Sequence, residues 1–386
     1  MENFRALRKY VVPEIIYGVD AHRLTGQYAG RLGLSTVLVV SDPGVESVGW
    51  LGRVLDSLHA AGIVGVPFVA VTSNPKDYEI MAGVEQYRGA GCDGIVAVGG
   101  GSPMDCAKGI GIVCSNGGHI LDYEGVDQVP QPMPPLICIP STAGSAADVS
   151  QFAIITDTEG QRKIAIVSKS VVPDLALIDP MLTTTMDRDL TACTGMDALT
   201  HAIEAYVSNA SSPFTDIHAL QAVRSVAFHL LAAIDDPKSI TARNGMMFAS
   251  TQAGLAFSNA SLGAVHAMAH SLGGLLDSPH GDCNAFLLEH VVAYNYVSSP
   301  VRYREIGQAL GFDLHGCTDG VVCEALVEGI GRFRNAVGIK GSLASQGVKP
   351  EQLSLLAQKA LLDACMVTNP RRPTVKEIEA IYAAAL

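Results

Sequence analysis

Along the first half of the chain, short β-branched runs alternate with stretches whose apolar residues recur at helical spacing. The runs Thr36–Ser41, Pro67–Thr72, Gly94–Gly100 and Pro135–Ser141 are predicted as strands. Between them, Gly49–Gly62 and Asp77–Gly91 carry apolar positions three and four apart and end at a glycine, the pattern of a helix closed at its C-cap. Gln151–Asp157 and Arg162–Ser168, separated by Thr158-Glu159-Gly160, read as a hairpin, and Leu175–Asp179 is a last strand stopped by Pro180. Strands alternating with helices predict a parallel α/β sheet. Past about Met186 the β runs thin out, and Phe214–Ala233, Ala242–Asn259, Val265–Leu275 and Leu353–Ala364 keep a helical period. The expectation is an α/β domain over residues 1–185 followed by an all-α domain over residues 186–386, with no internal repeat.

Composition narrows what such a chain can do. Of its 386 residues 48% are hydrophobic and 17% charged, and the mean hydropathy is +0.27. That content fits a large core plus a buried subunit interface, hence a homo-oligomer, a homodimer or larger. A net charge of -12 argues against a nucleic-acid partner. The nine cysteines are scattered, with no CxxC, which points to reduced thiols and not to a disulfide framework or a thiolate zinc site. No run of about 18 apolar residues occurs, and the first ten residues hold no apolar signal region. A soluble cytoplasmic protein with no membrane partner is expected.

Two kinds of chemistry stand out against this background. The first is Ile95-Val-Ala-Val-Gly-Gly-Gly-Ser-Pro-Met-Asp-Cys-Ala-Lys108, an apolar strand running into Gly99, Gly100 and Gly101. Ser102 fits an N-cap, Pro103 the first helical position and Asp105 the third. Glycines admit a ligand close to the backbone, and a helix N-terminus offers free N–H groups to a pyrophosphate. A single glycine here would suit any strand-to-helix turn; three in a row favour a phosphate cradle. It is not the GxGxxG pattern, and Asp42 precedes the glycines instead of following them by about 20 residues.

The second is a set of histidines. Gly195-Met-Asp-Ala-Leu-Thr-His-Ala-Ile-Glu-Ala-Tyr206 puts Asp197 and His201 one helical turn apart, and Val265-His-Ala-Met-Ala-His-Ser-Leu-Gly-Gly274 does the same for His266 and His270. Gly273-Gly274 and Ser278-Pro279 argue for a break and a turn that swings His280 back. One such pair alone is more often a satisfied core pair than a ligand pair. The two stretches together offer one Asp and three His, a set suited to iron(II), zinc, nickel or cobalt, although spacing leaves open which of His266 and His270 serves.

These stretches, with Pro279-His-Gly-Asp-Cys-Asn284, closely resemble the signatures of the iron-containing (group III) alcohol dehydrogenases, and the resemblance runs over nearly the whole length, weakening past about residue 300. It implies a dehydroquinate-synthase-like fold, with NAD on the N-terminal domain and Fe2+ (or Zn2+, Ni2+ or Co2+) on the helical one. Asp197, His201, His266 and His280 are then the ligands, with His270 just outside them; a histidine ordinarily titrates near neutral pH and, placed there, can hand the alkoxide proton toward solvent, the alternative being a ligand-orienting or core histidine. Gly99–Gly101 and Ser102 are implied for the pyrophosphate and Asp42 for the adenosine ribose. The hydroxyl-rich turn with Ser141, Thr142 and Ser145, together with Asn74, Lys163 and Leu182, matches further cofactor neighbours, and Phe152 and Phe257 match pocket-lining positions.

Two departures from the pattern are Asp282, where an apolar residue is common, and Glu289, where proline is frequent. Cys283 and Asn284 read as packing and turn residues. The implied activity is hydride transfer between NAD and a small uncharged alcohol or diol. The rivals are a polyol or polyol-phosphate dehydrogenase or a lyase-type member of the same fold, where a phosphate or carboxylate substrate would need extra Lys or Arg near the metal, and a catalytically silent metal or nucleotide sensor.

Overall fold

The computed structural model describes residues 9–386. They form two compact units, Val11–Thr185 and, with Lys9 and Tyr10, Met186–Leu386. The first contains β1 (Glu14–Tyr17), α1 (Thr25–Arg31), β2 (Thr36–Val40), α2 (Pro43–Ser47), α3 (Trp50–Ala60), β3 (Val64–Phe68), α4 (Asp77–Gly89), β4 (Gly94–Gly99), α5 (Gly101–Asn116), β5 (Gly125–Val126), β6 (Leu136–Pro140), β7 (Phe152–Asp157), β8 (Arg162–Val167) and β9 (Leu175–Ile178).

Six of these strands make one parallel sheet in the order β1-β9-β6-β4-β2-β3. Its inner strands are buried on both faces, as a parallel sheet covered by helices requires. Leu38, Val40, Ile95 and Ala97 face a core shared with α4 and α5, while Val37, Val39, Val96 and Val98 face one shared with α3. After β3 the chain returns to the other side of β2 to form β4, so the loops leaving β2 and β4 emerge side by side at a topological switch point. β7 and β8 pair antiparallel in a small second sheet with β5.

Three sequence expectations shift. The third strand is Val64–Phe68, not Pro67–Thr72. It pairs residue for residue with Thr36–Val40, and beyond Phe68 β2 offers no further partner. Pro67 is tolerated because β3 is an edge strand. Helix α5 starts at Gly101 with Gly100 as N-cap, so Ser102 lies inside the first turn, its hydroxyl accepting the Asn74 N–H at 3.2 Å. The edge strand β1 escaped the pattern because four residues, half-buried at most, carry almost no periodicity.

The second unit is helical: α6 (Arg188–Val207), α7 (Pro213–Asp235), α8 (Ile240–Ala260), α9 (Ala264–Leu276), α10 (His280–Asn295), α11 (Pro300–Ala309), α12 (Asp319–Ala336), α13 (Leu353–Leu362) and α14 (Val375–Ala384). α6 packs on α7, α8 and α10 and is buried almost all round from Thr191 to Val207. Its small residues permit this: a Cβ on Gly195 would meet the Leu230 side chain at 2.3 Å. α9 runs through Gly273 and Gly274 without breaking. The break comes at Asp277, in the left-handed region at φ 51°, immediately before Ser278-Pro279. Among the described residues one helix, α7, is long and apolar enough by composition to cross a membrane; it packs against α6 and α8.

Candidate metal centre and nucleotide-binding turn

Three helices of the second unit converge on one carboxylate. Asp197 Oδ1 lies 3.8 Å from His201 Nδ1, 3.6 Å from His266 Nε2 and 3.7 Å from His280 Nε2. Ligands bound at about 2.1 Å around one tetrahedral cation sit roughly 3.4 Å apart, so each imidazole stands near ligand spacing from Asp197, and the ligand atoms of Asp197, His201 and His266 all lie within 4.8 Å of one another, a set that suits a first-row divalent ion. Asp197, His201 and His266 are buried. Burial alone would raise the Asp197 carboxyl, but His201, with His266 and His280, holds it far below the carboxylate range. Burial disfavours a charged His266, yet Asp197 and Glu204 push it up to about 9. Two buried carboxylates facing these rings make a site that calls for positive charge.

Of the pair four residues apart, His266 is the one facing Asp197. Its Nδ1 lies 2.7 Å from Glu204, which directs Nε2 inward. Glu204 also accepts the N–H groups of Gly263 at 3.0 Å and Val265 at 2.6 Å, anchoring the start of α9. His270 instead turns its Nδ1 to Asp363 Oδ2 at 2.9 Å, and its ring lies parallel to that of His280 at 5.4 Å. Phe257 stacks on His201 at 4.3 Å. Asn284 is fully buried and its amide nitrogen stands 2.7 Å from Asp197 Oδ1, 3.3 Å from His266 and 3.2 Å from His280, so it belongs to this cluster and is no mere turn residue.

Sequence reasoning missed Glu204, Asn284 and Asp363. The first two had a signal: Glu204 follows Asp197 by seven residues on a helix buried on every side, and Asn284 follows His280 by four. Asp363 had none, being 93 residues from His270. Glu289 is tied to Arg334 at 3.2 Å, and burial with the nearby Asp189 pushes the Asp282 carboxyl up.

In the first unit the switch point gathers the nucleotide candidates. Ser41 Oγ donates to the Val98 carbonyl at 2.8 Å, locking the two strand ends together. Gly99 adopts φ +152°, where a Cβ would meet Pro103 at 2.6 Å and Asp42 Oδ2 at 3.2 Å. Side chains at Gly100 and Gly101 would press on Thr142 at 3.1 Å and Ser145 at 3.0 Å. The Ser141 N–H donates to the Gly99 carbonyl at 2.8 Å. Asp42 caps α2 by accepting the Val45 N–H at 3.0 Å, and Lys163 Nζ reaches Asn74 Oδ1 at 2.8 Å. The first turn of α5, with no side-chain cap on Gly100, leaves its N–H groups for a ligand beside Asp42, Thr142 and Ser145, a fit for a dinucleotide. Leu182, by contrast, is wholly enclosed in the core beneath the sheet, and its side chain has no surface to offer a cofactor. Phe152 is buried at the start of β7, its carbonyl accepting from Lys108 Nζ at 2.7 Å.

Known proteins share this chain's sequence pattern and fold. Residues 13–180 match the family model for iron-containing alcohol dehydrogenase, and residues 191–386 that for the C-terminal part of the Fe-containing alcohol dehydrogenase family. The chain is 40% identical over 379 residues to 1,3-propanediol dehydrogenase of Citrobacter freundii, covering 97% of this chain and 98% of that one. It is 35% identical over 377 residues to NAD-dependent methanol dehydrogenase of Bacillus methanolicus, covering 98% and 99%. A crystal structure of 1,3-propanediol oxidoreductase superposes with a TM-score of 0.96 at 40% identity, covering 99% of this chain and 100% of that one. The sheet and helical units are thus those of the dehydroquinate-synthase-like fold. With both halves matched and the whole length aligned, the chain belongs to the iron-containing alcohol dehydrogenase family.

Proposed function

We infer that this chain is an NAD- and metal-dependent alcohol dehydrogenase interconverting a small uncharged alcohol or diol and its aldehyde or ketone. The observation that carries the reading is the convergence of three imidazoles, those of His201 and His266 buried, on the buried Asp197. A divalent cation held there, iron first with zinc, nickel or cobalt as substitutes, supplies Lewis acidity to the substrate oxygen while NAD takes the hydride. The chain's own groups do the rest. Asp197, His201, His266 and His280 are the ligands, and Glu204 keeps His266 in the ligating orientation. Phe257, stacked on His201, gives the substrate an apolar wall; Phe152 is assigned to the substrate by resemblance alone. His270, whose Nδ1 is engaged by Asp363, takes the hydroxyl proton on Nε2 and passes it toward solvent.

Residues 1–185 bind the dinucleotide and residues 186–386 the metal. Gly99, Gly100, Gly101 and Ser102 at the start of α5 take the pyrophosphate, Asp42 the adenosine ribose, and Ser141, Thr142, Ser145, Asn74 and Lys163 flank the cofactor. The substrate class rests on the ligand-bearing segments 195–206 and 263–285, which hold no Lys or Arg, so a phosphate or carboxylate would be buried unpaired at a cost of several kcal/mol. Relatives named for 1,3-propanediol and methanol point the same way. The protein works in the cytoplasm as a homo-oligomer. Metal analysis of purified protein, paired with NAD reduction across C2–C6 alcohols and diols, tests the reading. One equivalent of metal and turnover of propanediol or butanol are expected. A higher kcat/KM for a phosphorylated polyol would overturn the substrate class, and bound metal without any NAD turnover would favour a sensor.

A further inference from the structure

We propose that Asp363 is a positioning residue for His270, fixing the ring so that Nδ1 donates to the carboxylate and Nε2 keeps its lone pair for the substrate proton. The proposal rests on the reading that His270 moves that proton. Asp363 follows the last residue of α13 and caps the next turn, its Oδ1 accepting the Cys365 N–H at 2.8 Å while Oδ2 meets His270 Nδ1 at 2.9 Å. With a partner on each oxygen the carboxylate cannot rotate freely. Being ionised, it can only accept, so the ring proton between them belongs to Nδ1. Burial would raise the Asp363 carboxyl, but His270 lowers it, and the bonds accepted from its Nδ1 and from the Cys365 N–H favour the ionised form even beside a neutral ring.

The support is rigid on both sides. α9 packs on α13, and one residue past His270 the Ser271 hydroxyl donates to the Leu356 carbonyl at 2.8 Å. His270 is thereby held beside two ligand rings, 6.2 Å from that of His266 and 5.4 Å from that of His280, with its Nδ1 engaged by Asp363. Carboxylates that orient a metal-ligating histidine contribute about ten- to hundredfold to function, and an effect of the same order is expected for one that orients a proton-carrying ring.

The test is a double-mutant cycle on the metal-loaded protein. Asp363→Ala is expected to lower kcat about ten- to hundredfold, with KM for NAD and the single metal equivalent retained within about threefold. In a His270→Ala background the same substitution should cost less than about twofold, because its effect passes through the ring. Asp363→Asn, whose amide oxygen can still accept from Nδ1, should recover part of the rate, and it serves if the alanine variant does not fold. Equal losses in both backgrounds would overturn the proposal, leaving Asp363 a cap for its own turn. So would loss of the metal, or a second bound equivalent removed by Cys365→Ser, since His270, Asp363 and Cys365 also lie close enough to ligate together. If His270→Ala alone keeps full rate, the proton-carrier reading fails. A slow His270→Ala beside a fast Asp363→Ala sinks only the present inference.

Discussion

Asp42 stands two residues past β2 with Oδ1 on the Val45 N–H and Oδ2 turned toward Gly99. Among the described residues it forms no ion pair with a Lys, Arg or His. A ribose with free hydroxyls can donate to such a carboxylate. NADP brings a 2′-phosphate of about -1.5 to -2 charges to the same place, by analogy with other phosphomonoesters. Like charges at roughly 4 Å in an intermediate dielectric repel by a few kcal/mol, or tenfold to several hundredfold in affinity. NAD should therefore be strongly preferred, and Asp42→Gly should narrow or reverse the preference in steady-state kinetics with both cofactors. A wild type that uses NADP as well as NAD would sink the assignment. Asp42 was legible as a candidate because Val37-Leu-Val-Val-Ser-Asp ends a buried strand, but its second task as the cap of α2 was not read from Asp-Pro. At the metal the residue types and spacings announced Asp197, His201 and the histidines. The partners that aim them stayed hidden, because Glu204 looked like one more helical carboxylate and Asp363 meets His270 only through the packing of α13 on α9.

At the scale of elements, α5 is tied to β7 by charges that no periodicity reveals. Lys108 is fully buried and donates to the carbonyls of Ser150 at 2.9 Å and Phe152 at 2.7 Å. One turn earlier Asp105 accepts the Ile154 N–H at 3.2 Å, and burial, opposed by Lys108, pushes its carboxyl up to about 6. An unfolded chain loses that proton near 3.8. The stability this group contributes is thus fully present below about pH 4 and is lost as pH rises to about 6, on the order of 2–3 kcal/mol. Asp105→Asn keeps an acceptor for Ile154 and has no proton to lose. Urea unfolding should show the variant gaining on the wild type by that amount between about pH 4 and pH 7. A gap that does not change with pH would mean that Asp105 is not buried as described. Element type was legible wherever a run was long and its period clear, as in α3, α4 and the antiparallel pair β7–β8. It failed where a neighbour decides the boundary: β3 ends with its pairing to β2, and α9 continues through two glycines because Pro279 and not Gly273 sets its end.

Over the whole molecule the candidate residues divide between the two units. Asp197, His201, His266 and His280, with Glu204 and Asn284, all fall after Met186, and every nucleotide candidate from Asp42 to Lys163 falls before Thr185. The turn at Gly99–Gly101 is shaped by its own sheet: by Ser41 on Val98, by Ser141 on Gly99 and by the side chains of Thr142 and Ser145. None of those contacts draws on a ligand of the metal. The metal set is likewise shaped from within the helical unit, by Glu204 of α6 accepting the Val265 N–H of α9 and by Asn284 of α10 reaching Asp197. A ligand that binds only the folded form stabilises it by about 2.7 kcal/mol at a hundredfold excess over Kd, so chelation should lower the melting temperature of the loaded protein. Removing the metal with a chelator, or replacing His280 with alanine, should abolish turnover while NAD binding, followed by calorimetry, stays within about threefold of the loaded wild type. Restoring iron to the chelated wild type should return the activity, and to His280→Ala it should not. A tenfold or larger loss of NAD affinity on chelation would show that the two sites depend on each other for their shape, and the division of labour along the chain would have to be given up.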